Sequence, residues 1–250
     1  GIAILAQARR PVFPRSSVRP SRHLLPSTSV VMASKLLEGR GADGIPLKSD
    51  YDSMAPAPQS LFVLYTNLFV VFSMFGVAAG AGLCYFTESL LMHKKLEIVK
   101  EFGMGPLYIA LFFLKFVFQM VNANMGTTRR ETKVNNPDQH IYRVYGGASD
   151  GSIVLMDLEG AHGRFNRGQR ALANLEEYLP LFLVNFAFVG FVAPTLVAVI
   201  TVLFGLARLK GAIAYVESAK DRTSGNLASF LMMGLIDGMA LFIGVVTTFL

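Results

Sequence analysis

The chain has 250 residues, 52% of them hydrophobic and 16% charged, with a mean hydropathy of +0.46. Average soluble domains carry roughly 25% charged residues, so the composition excludes an ordinary soluble enzyme and points to an integral membrane protein. The net charge of +6 does not argue for nucleic acid, because the basic residues sit in a leader and in loops between apolar runs.

One cysteine, Cys84, excludes an intrachain disulfide framework or a cysteine-based metal centre. Trp is absent, which leaves interfacial anchoring to Tyr, Lys and Arg. Residues 1–33 carry Arg9, Arg10, Arg15, Arg19 and Arg22, with no acid before Glu38. Arg- and Ser-rich, acid-poor leaders read as organellar transit peptides; the plainer alternative is a disordered basic tail. Val30–Ala33 suits a processing site. Residues 34–59 are polar and rich in Pro, Gly and Asp, and read as a linker.

Leu61–Phe86 is almost wholly apolar, and about 20 such residues span the hydrocarbon. Gly76, Gly80 and Gly82, with neighbouring alanines, offer a small-residue face for close packing. His93–Lys95 then marks an interface, with no second ligand at metal spacing. Residues 60–104 are therefore one membrane helix and an interfacial connector. The second span is Pro106–Met125. Lys115 interrupts it and either snorkels or faces the bundle interior; the interior is preferred. Strongly basic Thr127–Lys133 follows.

Residues 134–164 are too polar to span and long for a bundle loop, with room for a strand pair around Ile153–Leu158. His140, His162, Asp138, Asp150, Asp157 and Glu159 fall there. No spacing among them supports a metal site, so they are expected to be solvated loop charges. The third span runs from about Asn166 to Phe191, with Pro180 expected to kink it, and Val192–Pro194 is a tight turn. The fourth runs from Pro194 to about Tyr215, and the fifth from Leu227 to Leu250. Asp237 lies mid-span in the fifth. It is either functional or a packing partner for Lys115 or Arg208.

The 126–165 connector, the start of the third span and the 217–226 loop share one membrane face. That face carries Arg129, Arg130, Lys133, Arg143, Arg164, Arg167, Arg170, Lys220 and Arg222. Basic loops stay on the cytosolic, stromal or matrix side.

Arg170, Asn174 and Glu177 lie at i, i+4 and i+7 and share one helix face. Arg129 and Arg130 end the second span; Arg208 and Arg222 lie at the far end of the fourth and just beyond it. With Tyr215, these groups suit a small flexible ligand bearing carboxylates and one amine. Arginine forks hold carboxylates bidentately, Glu177 pairs with an amine, and an arginine beside a thiol stabilises the nucleophilic thiolate. The plainer alternative is that these residues only anchor helix ends.

Phe165, Asn166, Gln169, Arg170, Ala171, Asn174, Glu177 and Pro180 match a second-helix signature. By it, the chain resembles the MAPEG family, the membrane-associated proteins in eicosanoid and glutathione metabolism, and especially its microsomal glutathione transferase 3-like branch. The resemblance covers about Gly105–Leu250. Upstream, Val121-Asn122 and Arg129–Pro137 look like the end of the first family helix and its loop; Ala207–Leu209 and Tyr215 look like the third helix.

The resemblance implies an all-α integral membrane protein: a four-helix bundle over residues 105–250, plus one extra N-terminal transmembrane helix, assembled as a homotrimer. It implies glutathione as co-substrate, bound between subunits. A lipophilic electrophile or lipid hydroperoxide would enter from the membrane lipid, and no metal is involved. By position, Arg170, Asn174, Glu177, Arg208 and Tyr215 would hold glutathione. Arg129 or Arg130 would lie near its thiol or the substrate, with Arg130 catalytic, and Arg222 would activate the thiol.

Leu172 stands where the branch usually has His, and Gly211 where a glutathione-contacting Tyr is common. These departures, with the extra helix, fit the alternative: a diverged structural subunit of a larger organellar membrane complex. A solute transporter built on Lys115 and Asp237 is weaker, since no inverted repeat is visible. The expected location is a plastid, mitochondrial or endoplasmic reticulum membrane.

Overall fold

The computed structural model describes residues 39–41, 45–56, 58–86, 90–136, 138–146 and 153–249. The stretch expected to be a leader with a processing site, and Asp150, lie outside the described residues. A short helix α1 (Tyr51–Met54) precedes α2 (Leu61–Phe86), α3 (Leu90–Glu101) and α4 (Gly105–Thr132). A hairpin of β1 (Tyr142–Tyr145) and β2 (Ile153–Met156) follows, then α5 (Gly160–Val192), α6 (Pro194–Glu217) and α7 (Arg222–Phe249).

Five of these helices, α2 and α4–α7, are long and apolar enough to cross a membrane. The helices outrun the apolar stretches that announce them: α4 continues seven residues past Met125, and α5 begins six before Asn166. Hydropathy reports the hydrocarbon slab, whereas backbone hydrogen bonding carries a helix on into the interface.

The core forms where α4, α5 and α7 surround α6. Over half of the apolar window of α6 is buried, against 11% for α2 and for α7, which makes α6 the central helix. Phe182 of α5 stacks on Phe204 of α6 with centroids 4.1 Å apart, and both side chains are fully buried. Val117, Val121, Leu175, Val189, Val197 and Ile236 complete the apolar interior. Inside a bilayer such association rests on close packing rather than on expulsion of water. Accordingly Gly205 lies flat under Phe113 and Val117, and Gly168 against Thr128. Ala193 alone separates α5 from α6, and Pro194 opens α6 at a position that needs no N–H donor.

The extra helix α2 lies along α4. Phe69 meets Phe112 and Phe116 at 4.9 and 5.4 Å, and Thr66 donates to the Met120 sulfur at 3.7 Å. The small-residue face expected to pack closely does not do so within the described chain, since Cβ atoms added at Gly76 and Gly80 would meet nothing within 4 Å. The polar stretch before α2 is docked rather than loose. Tyr51, Ala55 and Leu61 are buried together near Gly126, and Asn135 bonds the Asp50 N–H and the Lys48 carbonyl.

The connector is pinned by Asn166. Its side chain accepts from the Ile141 N–H at 2.9 Å and donates to the Ile141 and Asp157 carbonyls, both at 2.8 Å. Asp157 is not the solvated charge expected. It is buried, with Arg143 at 3.1 Å and the His162 Nδ1 at 3.5 Å. Burial opposes its ionisation, but the Glu159 N–H, Arg143 and His162 outweigh that and hold the carboxyl below its ordinary value. Asp157 in turn raises the Arg143 guanidinium.

Candidate functional site

The connector and the α6–α7 loop meet on one membrane face. Arg164 pairs with Glu217 at 2.8 Å and with Glu131 at 3.6 Å. Arg167 donates to the carbonyls of Tyr215, Val216 and Glu217 at 2.8–3.3 Å, capping the end of α6 where carbonyls have no helical partner. That cap fixes Tyr215. The Arg222 guanidinium lies over the Tyr215 ring, 4.8 Å from its centroid.

Arg208 is the centre of the arrangement. It is 5% exposed and sits over the rings of Tyr178, Phe204 and Phe230 at 4.5, 5.4 and 5.6 Å. Its Nη2 reaches only the Met233 sulfur, at 3.8 Å, and its Nε is buried without a hydrogen-bond partner. Among the described residues no carboxylate pairs with it. Ring faces attract a cation, but they do not replace a counter-ion, and a desolvated charge without one is costly.

Arg208 lines a cleft with Asn174, Tyr215, Asn226, Ala171 and Gly211. In the single chain it encloses about 10 Å³, room for roughly one water. On the helix face that carries Asn174, Arg170 donates to Glu177 at 2.9 Å, and both side chains are half exposed. The two residues expected to share a helix face therefore pair with each other on the exposed side of α5.

Arg129 and Arg130 are not brought into this group. Arg129 is buried beneath Phe165, donating to the Val134 carbonyl at 3.0 Å and to the Met125 sulfur at 3.2 Å. Arg130 is held by Asp52 at 3.0 Å and by the Gln59 carbonyl at 2.9 Å. Lys115 faces outward rather than into the bundle interior, against Phe118. Asp237 pairs with neither Lys115 nor Arg208; it accepts from Asn185 at 2.6 Å.

Two side chains were not singled out from the sequence: Asn226, which lines the cleft, and Tyr178, whose ring lies against the Arg208 guanidinium. Tyr178 had a signal, since it follows Glu177 and an aromatic ring is the natural neighbour of an arginine in a membrane. Gly211, the other departure, lies at the crossing of α6 and α7. Gly211 packs directly on Gly225, and a Cβ at Gly225 would come within 2.5 Å of the Gly211 backbone. No cluster of three or more metal-binding side chains occurs among the described residues.

Four packed spans with a polar cleft at one membrane face define a polytopic all-α membrane protein. The chain belongs to the MAPEG family, whose profile matches residues 106–242, just over half of the chain. Members of that family are glutathione transferases, peroxidases or related membrane proteins. No curated protein matches the sequence significantly.

Proposed function

We propose that this protein is a glutathione transferase or glutathione-dependent peroxidase of the microsomal glutathione transferase 3-like branch. It acts on lipophilic electrophiles or lipid hydroperoxides as a homotrimer in an organellar or endoplasmic reticulum membrane. The observation that carries this reading is the unpaired, buried Arg208 cation opening on Asn174, Tyr215 and Asn226. A carboxylate of glutathione supplies the missing anion, and a fork of N–H donors holds it.

Arg170 and Glu177 take a second carboxylate and the amine on the exposed side of α5, exchanging their mutual bond for two ligand bonds. Arg222, on the neighbouring helix and held over Tyr215, faces the thiol and favours the thiolate. The thiolate sulfur then attacks the electrophilic carbon, displacing its leaving group or adding to its activated double bond. With a hydroperoxide it attacks the terminal oxygen, the O–O bond breaks, and the alkoxide takes a proton to become the lipid alcohol. A second glutathione then converts the sulfenic acid to the disulfide and water. Arg130, held by Asp52 in the single chain, reaches this site from an adjacent subunit, as does Arg129 if its contacts under Phe165 open.

The cleft of a single chain is too small for a tripeptide, so the site is completed between copies. Ultraviolet absorbance of the thiolate in the purified, glutathione-loaded protein tests the assignment. Wild type should show the signal at neutral pH, and Arg222→Ala should abolish it while glutathione still binds. An unchanged signal in Arg222→Ala removes Arg222 from the chemistry. Absence of any glutathione binding by wild type favours the structural-subunit reading instead.

A further inference from the structure

Two ionisable side chains on the flanks of α5 are left facing outward within the apolar span. Lys115 of α4 is exposed and lines the groove between α4 and α5 with Leu179 and Leu183. Asp237 of α7 is exposed and accepts from Asn185 of α5 at 2.6 Å. Among the described residues neither has a charged partner: Lys115 meets only the Phe118 ring, and Asp237 only the neutral Asn185 amide.

Along α5, Asn185 lies two residues beyond Leu183 and six beyond Leu179, a rise of about 3–9 Å. The two charges thus sit at similar depth. Around α5, two residues turn the helix by about 200°, so Leu183 and Asn185 point to opposite flanks. Lys115 and Asp237 cannot meet within one chain, and each is costly to leave in hydrocarbon.

We propose that a second copy of this chain occupies the Lys115 groove with its Asp237-bearing face: Lys115 of one protomer forms an ion pair with Asp237 of the next, beside α5. The surfaces are different and complementary, so the contact is heterologous, and a heterologous contact that closes generates a ring. With α5 between them facing the ring axis, three copies place three identical ion pairs within the membrane. This deepens the homotrimer reading above and rests on it.

Short bifunctional thiol reagents test the pair in the full-length chain, in membranes, with Cys84→Ser removing the native thiol. Such a reagent is preferred to direct oxidation, because an extended lysine and an aspartate hold their Cβ atoms farther apart than the about 3.8 Å of a disulfide. The double variant K115C/D237C should give linked dimers and trimers and nothing larger, and each single variant should stay monomeric on denaturing gels. Links in a single variant, or a ladder beyond trimer, would overturn the closed heterologous contact. A trimer by native mass spectrometry with no linked species in the double variant would refute the ion pair and leave the trimer standing. A monomer by mass would refute both.

Charge reversal gives an independent readout. K115D or D237K alone should lower the trimer fraction at least tenfold, and K115D/D237K should restore it. Equal trimer fractions in all three would refute the pair. The cysteine variants keep the question measurable where charge-reversed chains fail to insert.

Discussion

The contact between Gly211 and Gly225 makes a sharp quantitative prediction. An alanine Cβ at 225 would lie 2.5 Å from the Gly211 Cα and N and 2.7 Å from the Ala207 carbonyl oxygen. Carbon atoms pack comfortably at about 3.5–4.0 Å, and every atom met here is backbone, so α7 must retreat by about 1 Å. Over-packing of that kind costs about 1–3 kcal/mol, and alanine's better helix propensity returns up to about 1 kcal/mol. Gly225→Ala should therefore be about 1–2 kcal/mol less stable than wild type.

The reverse substitution behaves differently. A Cβ at 211 meets the Asn226 Oδ1 at 3.4 Å and Gly225 carbons at 3.5 Å, ordinary contacts. Gly211→Ala should be neutral or up to about 1 kcal/mol more stable. Denaturation of the detergent-solubilised variants by heat or by titrated denaturing detergent measures both. Gly225→Ala should also weaken glutathione binding, since Arg222 lies on the displaced turn. Equal shifts in the two variants, or a destabilised Gly211→Ala beside an unaffected Gly225→Ala, would refute the flush crossing of α6 and α7.

Asn166→Ala removes three hydrogen bonds to the connector. At about 1 kcal/mol for each net bond, hydrogen exchange at the Ile141 amide should rise by about two orders of magnitude. Arg167→Ala uncaps the last turn of α6; it should raise the KM for glutathione severalfold through Tyr215, and an unchanged KM would contradict that route. The Asp157 cluster gives a pH signature. Its carboxyl is held below the unfolded value, so its contribution is complete above about pH 4 and is lost as pH falls through the lowered folded value. Acid should therefore release the connector before the bundle, as read by hydrogen exchange, and Asp157→Asn should remove the pH step.

The five spans were legible because a run of some 20 apolar residues has few other uses. Their ends were not, because α4, α5 and α7 continue beyond the slab into polar sequence where periodicity is weak. Of the hairpin only the second strand was legible: the strand pair expected around Ile153–Leu158 is instead Ile153–Met156 paired with Tyr142–Tyr145 upstream. Within the site, spacing alone put Arg170 and Glu177 on one helix face, since residues seven apart lie on one side of a helix; that they bond each other came from the structure.

Long-range partnerships were hidden. Arg130 finds Asp52 across 78 residues, and nothing in composition links them. Arg129 turns under Phe165 because the Val134 carbonyl and the α4 C-terminus offer bonds there. Asp237 meets Asn185 because the rotation of α7 against α5 decides its neighbour, and a list of charges carries no rotation. Arg208 could be named from its position, yet its lack of a counter-ion became visible only when Tyr178, Phe230 and Met233 closed around it.

Arg208→Met tests the central claim most directly, by calorimetric titration of glutathione into the purified protein beside unfolding of the ligand-free form. Replacing an unpaired buried cation by an apolar side chain of similar length is often neutral or stabilising. The variant should match or exceed wild type in ligand-free stability while losing glutathione affinity at least tenfold, because the carboxylate has lost its partner. A folded Arg208→Met protein that binds glutathione as tightly as wild type would contradict the assignment of Arg208 as the buried anchor of the ligand.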